Sequence, residues 1–232
     1  LLTPLPTARV LRGELFLGMA GLAEQESFAE AKELAQQGLD ALGDADPLLA
    51  ASLHLKQAGF LAALGDYGAA RQAAHTGMAL LPPTPHMLQV AAHENLGVID
   101  FYTGQMAQAV DHWTRGLAIC RRLPHPFKAV DLLNNLGAYH LVAGAWAEAG
   151  RLLEEGLAEA QKLGTARHQA FFHLNLGILR TWQGQDDAAE THLQKLAQST
   201  GEYASNARYS LADLRLRQGR LVGQGHVDVR AR

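Results

Sequence analysis

Three copies of one signature recur along the chain at a nearly fixed interval, and that interval constrains the fold more than any other property. Asn95-Leu96-Gly97, Asn135-Leu136-Gly137 and Asn175-Leu176-Gly177 are each followed seven residues after the glycine by a second one, Gly104, Gly144 and Gly184. Five residues further comes an alanine: Ala109, Ala149 and Ala189. A weaker upstream copy keeps the frame with Ala58, Gly65 and Ala70, so the alanines step by 39, 40 and 40 residues. Such a period means stacked supersecondary units, each too small to bury its apolar face alone, in place of one globular core.

Each unit reads as two helices. Met87 to Thr103 carries Val90, Leu96, Ile99 and Phe101 at helical, not alternating, spacing. Gly104-Gln105 breaks that helix and Met106 to Leu123 resumes it. Leu81–Pro85, Leu123-Pro124-His125-Pro126 and Leu163-Gly164-Thr165 punctuate the units, the first two because proline lacks the N–H that a helix interior needs and the third through its glycine. The small residue on each first helix (Ala58, Gly97, Gly137, Gly177) lets the second helix approach closely. Glycine there costs roughly 1 kcal/mol relative to alanine, so its recurrence implies a packing gain. The recurring alanine is expected to face the first helix across that contact.

The end units are degenerate. Ser27-Phe28-Ala29-Glu30-Ala31 matches Asp66-Tyr67-Gly68-Ala69-Ala70 at an interval of 39, but Glu26 replaces the turn glycine. Downstream, Ala212 and Gly219 make Tyr203–Gln218 a sixth first helix, followed by a glycine-rich stretch. The expected organisation is a single solenoid over residues 1–220 and a tail at 221–232. Its repeats fall at roughly 10–45, 48–82, 86–123, 127–163 and 167–200, with an incomplete one at 203–220. A chain beginning at Leu1 and not Met is expected to be a piece of a longer protein.

The order of a small residue, glycine at plus seven, alanine at plus twelve and a large apolar residue four further on resembles the tetratricopeptide repeat, over residues 14 to 220. The period exceeds the ~34 residues usual for that repeat. The Asn-Leu-Gly signature, with Glu154–Ala160 and Leu163–His168, is most similar to the tetratricopeptide region of large bacterial transcriptional regulators of the maltose-activator kind. Kinesin-light-chain repeats come second. The resemblance implies an all-α, right-handed superhelix of helix-turn-helix units, acting as a scaffold or as the sensor region of a regulator.

It also implies an inner, concave stripe on the first helices. That stripe reads Ser52-Lys56-Gly59-Ala63, Ala91-Asn95-Val98-Tyr102, Asp131-Asn135-Ala138-Val142, Phe171-Asn175-Ile178-Trp182 and Asn206-Ser210-Asp213-Arg217. Asn95, Asn135 and Asn175 form a ladder along it, beside Asn134, Tyr102 and Trp182. An amide donates and accepts, which suits the backbone of an extended peptide, and an aromatic ring supplies contact area. Each Asn equally suits bonding a neighbouring helix to fix the angle between repeats. Lys56 and Arg217 are the stripe's cations, too far apart in the stack for a carboxylate clamp.

Other chemistries find little here. A net charge of −3 argues against general affinity for nucleic acid. One cysteine, Cys120, excludes an internal disulfide framework and fits a reducing, cytoplasmic setting, and no apolar run reaches a membrane span. His54, His93 and His173 occupy equivalent positions, but helices ~8–10 Å apart do not share a tetrahedral zinc unless side chains converge. Phosphate loops, Gly-x-Ser-x-Gly and Cys-x-x-Cys are missing, so neither catalysis nor a cofactor is expected. Three roles stay open: a groove for a peptide or partner helix, a receptor for a small inducer, and a homodimer formed through the incomplete C-terminal unit.

Overall fold

The computed structural model describes residues 5–123, 125–198 and 202–218, and among them it holds eleven α-helices and no strand. Five hairpins follow in order: α1 (Pro6–Ala23) with α2 (Phe28–Leu42), α3 (Pro47–Ala63) with α4 (Tyr67–Ala79), and α5 (Met87–Tyr102) with α6 (Met106–Arg122), then α7 (Pro126–Val142) with α8 (Trp146–Lys162), and α9 (Ala166–Trp182) with α10 (Asp186–Ala197). The sixth first helix is α11 (Glu202–Arg217). The expected tail at 221–232 lies outside the described residues.

The chain divides into two compact units, residues 1–128 and 129–232. In the first, each helix packs on the next, and the first helices also meet directly, α1 on α3 and α3 on α5. In the second, α8 packs on α9, α9 on α10 and α10 on α11, with α9 also against α11. First helices thus form a layer of their own within each unit.

Four hairpin turns are built alike. Gly65, Gly104, Gly144 and Gly184 hold φ of 82°, 79°, 76° and 71°, the left-handed region that a Cβ disfavours. The next N–H reaches back five residues, as Gln105 N does to Asp100 O at 2.7 Å, closing a Schellman motif on the helix end. The first hairpin departs from this. Without the glycine, Glu24 to Ser27 turn with no positive φ, and Ser27 caps α2 by accepting from Glu30 N. That turn contains one residue more than the next hairpin's.

The close approach within each hairpin is made sixteen residues on. A Cβ added to Gly97 would lie 2.2 Å from the Trp113 indole nitrogen; at Gly137 it would meet Leu153 at 2.6 Å, and at Gly177 Leu193 at 2.5 Å. The glycine is therefore the socket for the large apolar residue, four positions past the recurring alanine. The alanines themselves are fully buried. Where the first helix carries Ala58 instead, the second helix answers with Ala73 and Ala74 in the same apolar cluster. Small meets small and glycine meets bulk, which keeps interior packing dense.

Candidate ligand grooves on the first helices

In unit 1 a groove of about 680 Å³ runs over α3 and α5. All eight stripe positions assigned to these helices line it, Lys56, Asn95 and Tyr102 among them. Its floor is apolar and its edges are charged. Lys56 Nζ donates to Glu24 Oε2 at 2.9 Å while riding 5.8 Å over the Phe60 ring. Lys128 Nζ donates to Glu94 Oε2 at 2.6 Å. At the end of α5, Tyr102 stacks on Tyr67, with ring centres 5.6 Å apart and planes 9° from parallel. Tyr102 stays 64% exposed, so one ring face remains open to an occupant. Asn95 Nδ2 donates to the Leu55 carbonyl at 2.7 Å, tying α5 to α3.

The other five residues lie in unit 2 and separate into two groups. Asn175 Nδ2 donates to Asn134 Oδ1 at 3.0 Å, joining α9 to α7, and Asn135 is half-buried on α7. Trp182 lines a smaller hollow of about 240 Å³ with Tyr209, Ser210 and Asp213 of α11. Arg217 is bound to Asp213 at 2.8 Å, one turn away. Lys56 and Arg217 thus each hold a carboxylate of this chain.

Two histidine pairs sit inside hairpins. His93 Nδ1 lies 2.9 Å from His112 Nδ1, and His173 Nδ1 lies 2.9 Å from His192 Nδ1; the ring centres are 5.2 Å apart in each. Such a bond needs one Nδ1–H and one bare Nδ1, so at least one imidazole of each pair is neutral and the bond is lost when both are protonated. Burial, then the charges of His112 and Arg115, lowers His93 to about 4, against an opposing pull from Asp111. Burial, then His192 and Lys195, lowers His173 to about 4. Among the described residues, no group of three or more His, Cys, Asp or Glu could hold a metal ion.

The charge beside each pair differs. Asp100 is 1% exposed; it accepts from Arg71 Nη1 at 2.6 Å, and its other oxygen is 3.6 Å from His112 Nε2. Eighty residues on stands Arg180, which donates to Glu154 and Gln183.

Tyr67, Glu24, Glu94, Lys128 and Tyr209 join the grooves without standing among the residues picked from sequence. A signal for Tyr67 exists: the first position of the second helix is Phe28, Tyr67 and Trp146 in three hairpins. Phe28 approaches Phe60 of the following first helix, at 6.5 Å, much as Tyr67 approaches Tyr102.

No protein-family model and no curated protein sequence matches the chain. Solved structures do. A signal transduction ATPase with numerous domains and a tetratricopeptide repeat sensor, from Pyrococcus horikoshii, superposes at a TM-score of 0.69 and 15% identity. That match takes in 90% of this chain and 31% of the other, so the chain spans under a third of that protein's length. PilF of Pseudomonas aeruginosa gives 0.66 at 17% identity, over 92% of this chain and 93% of that one. The Rap conjugation gene regulator of plasmid pLS20, in complex with the Phr* peptide, gives 0.62 at 15%, over 94% and 72%. At these identities the likeness shows the fold: an all-α solenoid of tetratricopeptide-like helix-turn-helix repeats.

Proposed function

We propose that this chain is a non-catalytic binding region whose unit 1 groove holds a peptide or partner helix, in the setting of a bacterial regulator's sensor. The observation that carries the reading is the groove's length. It is lined from Glu24, just past α1, across α3 and α5 to Lys128 on α7. The two first-helix spacings from α1 to α5, at ~8–10 Å each, amount to roughly 18 Å, the span of about five extended residues. An apolar floor with an aromatic platform at one end suits side-chain anchors. The exposed Lys56–Glu24 pair at one edge is worth only ~0–1 kcal/mol, so a ligand's carboxylate or amide exchanges with it at little cost, while the Lys128–Glu94 pair at the other is half-buried. The hollow at Trp182, at about 240 Å³, falls below the ~300–1,000 Å³ usual for small-molecule sites, which weighs against an inducer there.

Support for the setting comes from two of the structural neighbours, one a tetratricopeptide sensor and one a regulator in complex with a peptide. The maltose-activator-like resemblance, with a cytoplasmic location and no direct nucleic-acid contact, belongs to the same proposal. Kinesin-light-chain repeats remain the second subgroup.

Selection of peptides from a random display library, followed by fluorescence polarisation on single variants, tests it. Selected peptides are expected to lose at least ~10-fold in affinity, about 1.4 kcal/mol, with Tyr102→Ala and to keep it with Trp182→Ala. Peptides that bind wild type and Tyr102→Ala alike would refute the groove assignment, as would a library yielding no binder.

A further inference from the structure

We propose that the outer face of α1 is an interface between two copies of this chain, paired antiparallel about a twofold axis beside Phe16 and Leu17. Leu11, Leu15 and Leu22 are 60%, 61% and 73% exposed on α1, and none of the described residues covers them. With Gly18 they are spaced four, three and four apart, one continuous stripe along the helix. Two of these positions, those of Leu15 and Leu22, are buried one hairpin later, while that of Leu11 is half-buried and that of Gly18 is taken by the exposed Lys56. Aligning Ala20 with Ala58 sets Leu15 on Leu53 and Leu22 on Phe60, which are 0% and 1% exposed in a cluster with Ala31, Ala35 and Leu42 of α2. Leu15 and Leu22 thus have the register of a seam that elsewhere in unit 1 is closed by another helix.

What closes it is written in the stripe. Elsewhere in unit 1 helices meet by seating bulk on glycine: Leu53 over Gly38, and Trp113 over Gly97. The α1 stripe carries both halves of that contact, since Gly18 and Gly21 have open space where a Cβ would stand. Antiparallel pairing brings together positions whose numbers sum to 33. Leu15 then seats on Gly18 of the second copy, and the reverse contact follows by symmetry. Leu11 meets the second copy's Leu22 on either side. The flanking charges do not clash, because Arg12 falls opposite Gly21 and Glu14 opposite Met19. A surface that is both knob and socket for itself is the condition for an isologous dimer. One helix pair buries less than the roughly 1,200–2,000 Å² of stable complexes, so the dimer forms in the micromolar range.

Sedimentation equilibrium of the whole chain from about 5 to about 300 micromolar is the test, with Leu15→Glu and Gly18→Leu alongside. Wild type is expected to shift from monomer to dimer over that range. The two variants should stay monomeric with unchanged circular dichroism, and Gly18→Leu should melt no lower than wild type because leucine favours the helix over glycine. Gly18→Leu separates a specific seam from general stickiness, because it adds apolar surface while filling the socket. Orientation is read in a Cys120→Ala background: an equimolar mixture of Leu11→Cys and Leu22→Cys should form the mixed disulfide, and neither alone should cross-link. Wild type monomeric at the top concentration overturns the proposal, leaving a different helix as the natural cover. So does a dimer that survives both substitutions, which would point to another surface such as α11. Cross-linking by Leu11→Cys alone overturns the antiparallel arrangement.

Discussion

The third and fifth repeats, eighty residues apart, use the same residues for the hairpin and opposite charges for the tie behind it. Each has a glycine socket (Gly97, Gly177) and an imidazole pair bridging its helices at 2.9 Å. In the third repeat, Asp100 is held by Arg71 of the preceding second helix; in the fifth, Arg180 is held by Glu154 of the preceding one. The polarity is reversed, so where an ion pair crosses this seam its direction is not fixed by the scaffold. Burial is not reversed. Asp100 is 1% exposed while Glu154 is 58% exposed, so one tie is a buried charge with partners and the other a surface contact.

The largest expected effect follows from that contrast. Arg71→Ala strands the Asp100 carboxylate and should cost about 3 kcal/mol in denaturant unfolding, whereas Arg180→Ala should cost under about 1 kcal/mol. Equal losses would mean that the two seams are energetically alike. Next come the sockets. A methyl at Gly97 meets the rigid Trp113 ring at 2.2 Å, while at Gly177 it meets the flexible end of Leu193 at 2.5 Å. Overpacking costs roughly 1–3 kcal/mol and alanine returns up to about 1 kcal/mol of helix propensity, so Gly97→Ala should lower the melting temperature clearly and Gly177→Ala only slightly. A reversed order would overturn the glycine-to-bulk account of hairpin closure.

Acid gives the smallest effect and the sharpest comparison. His93 and His173 sit at about 4 in the fold against about 6.5 unfolded, so the unfolded chain binds more protons between those values. Stability is therefore full above about pH 6.5 and declines as pH falls towards 4. Burial lowers both His112 and His192; at His112 Asp100 and Asp111 oppose it against Arg115 and His75, whereas at His192 Arg180 and Lys195 add to it. Proton NMR should accordingly find His112 protonating before His192 as pH is lowered. The fourth repeat shows what replaces a pair, with Leu133 and Leu152 buried at the equivalent positions. His173→Leu with His192→Leu should remove part of the acid sensitivity without loss at neutral pH, since replacing both partners of a hydrogen bond by apolar groups is close to neutral. If stability between pH 4 and 6.5 follows the same curve in this variant, the pairs are not what acid disturbs.

The repeat frame was legible because it rests on residues with one backbone use each. A glycine at positive φ and a glycine beneath Trp113 tolerate few substitutes, so both recur visibly. The first hairpin's turn was not legible, since Glu24 to Ser27 solve the same corner with an extra residue and ordinary φ. The histidine pairs were half visible: periodicity relates a residue to its copy 39 or 40 positions away, whereas the contact partner lies 19 away on another helix. The asparagines show the same limit. An amide that suits a peptide backbone suits a neighbouring helix equally, and Asn95 and Asn175 spend a donor on α3 and α7.

The ties named above are short in sequence as well as in space. Glycine and its bulky partner are 16 residues apart, the histidines 19, Arg71 and Asp100 29, and Asn134 and Asn175 41. Loop-closure entropy is therefore low for every one of them, and chains rich in such contacts fold fast. A hairpin has nearly all its partners once the next forty residues have emerged from the ribosome, so folding can keep pace with synthesis, repeat by repeat.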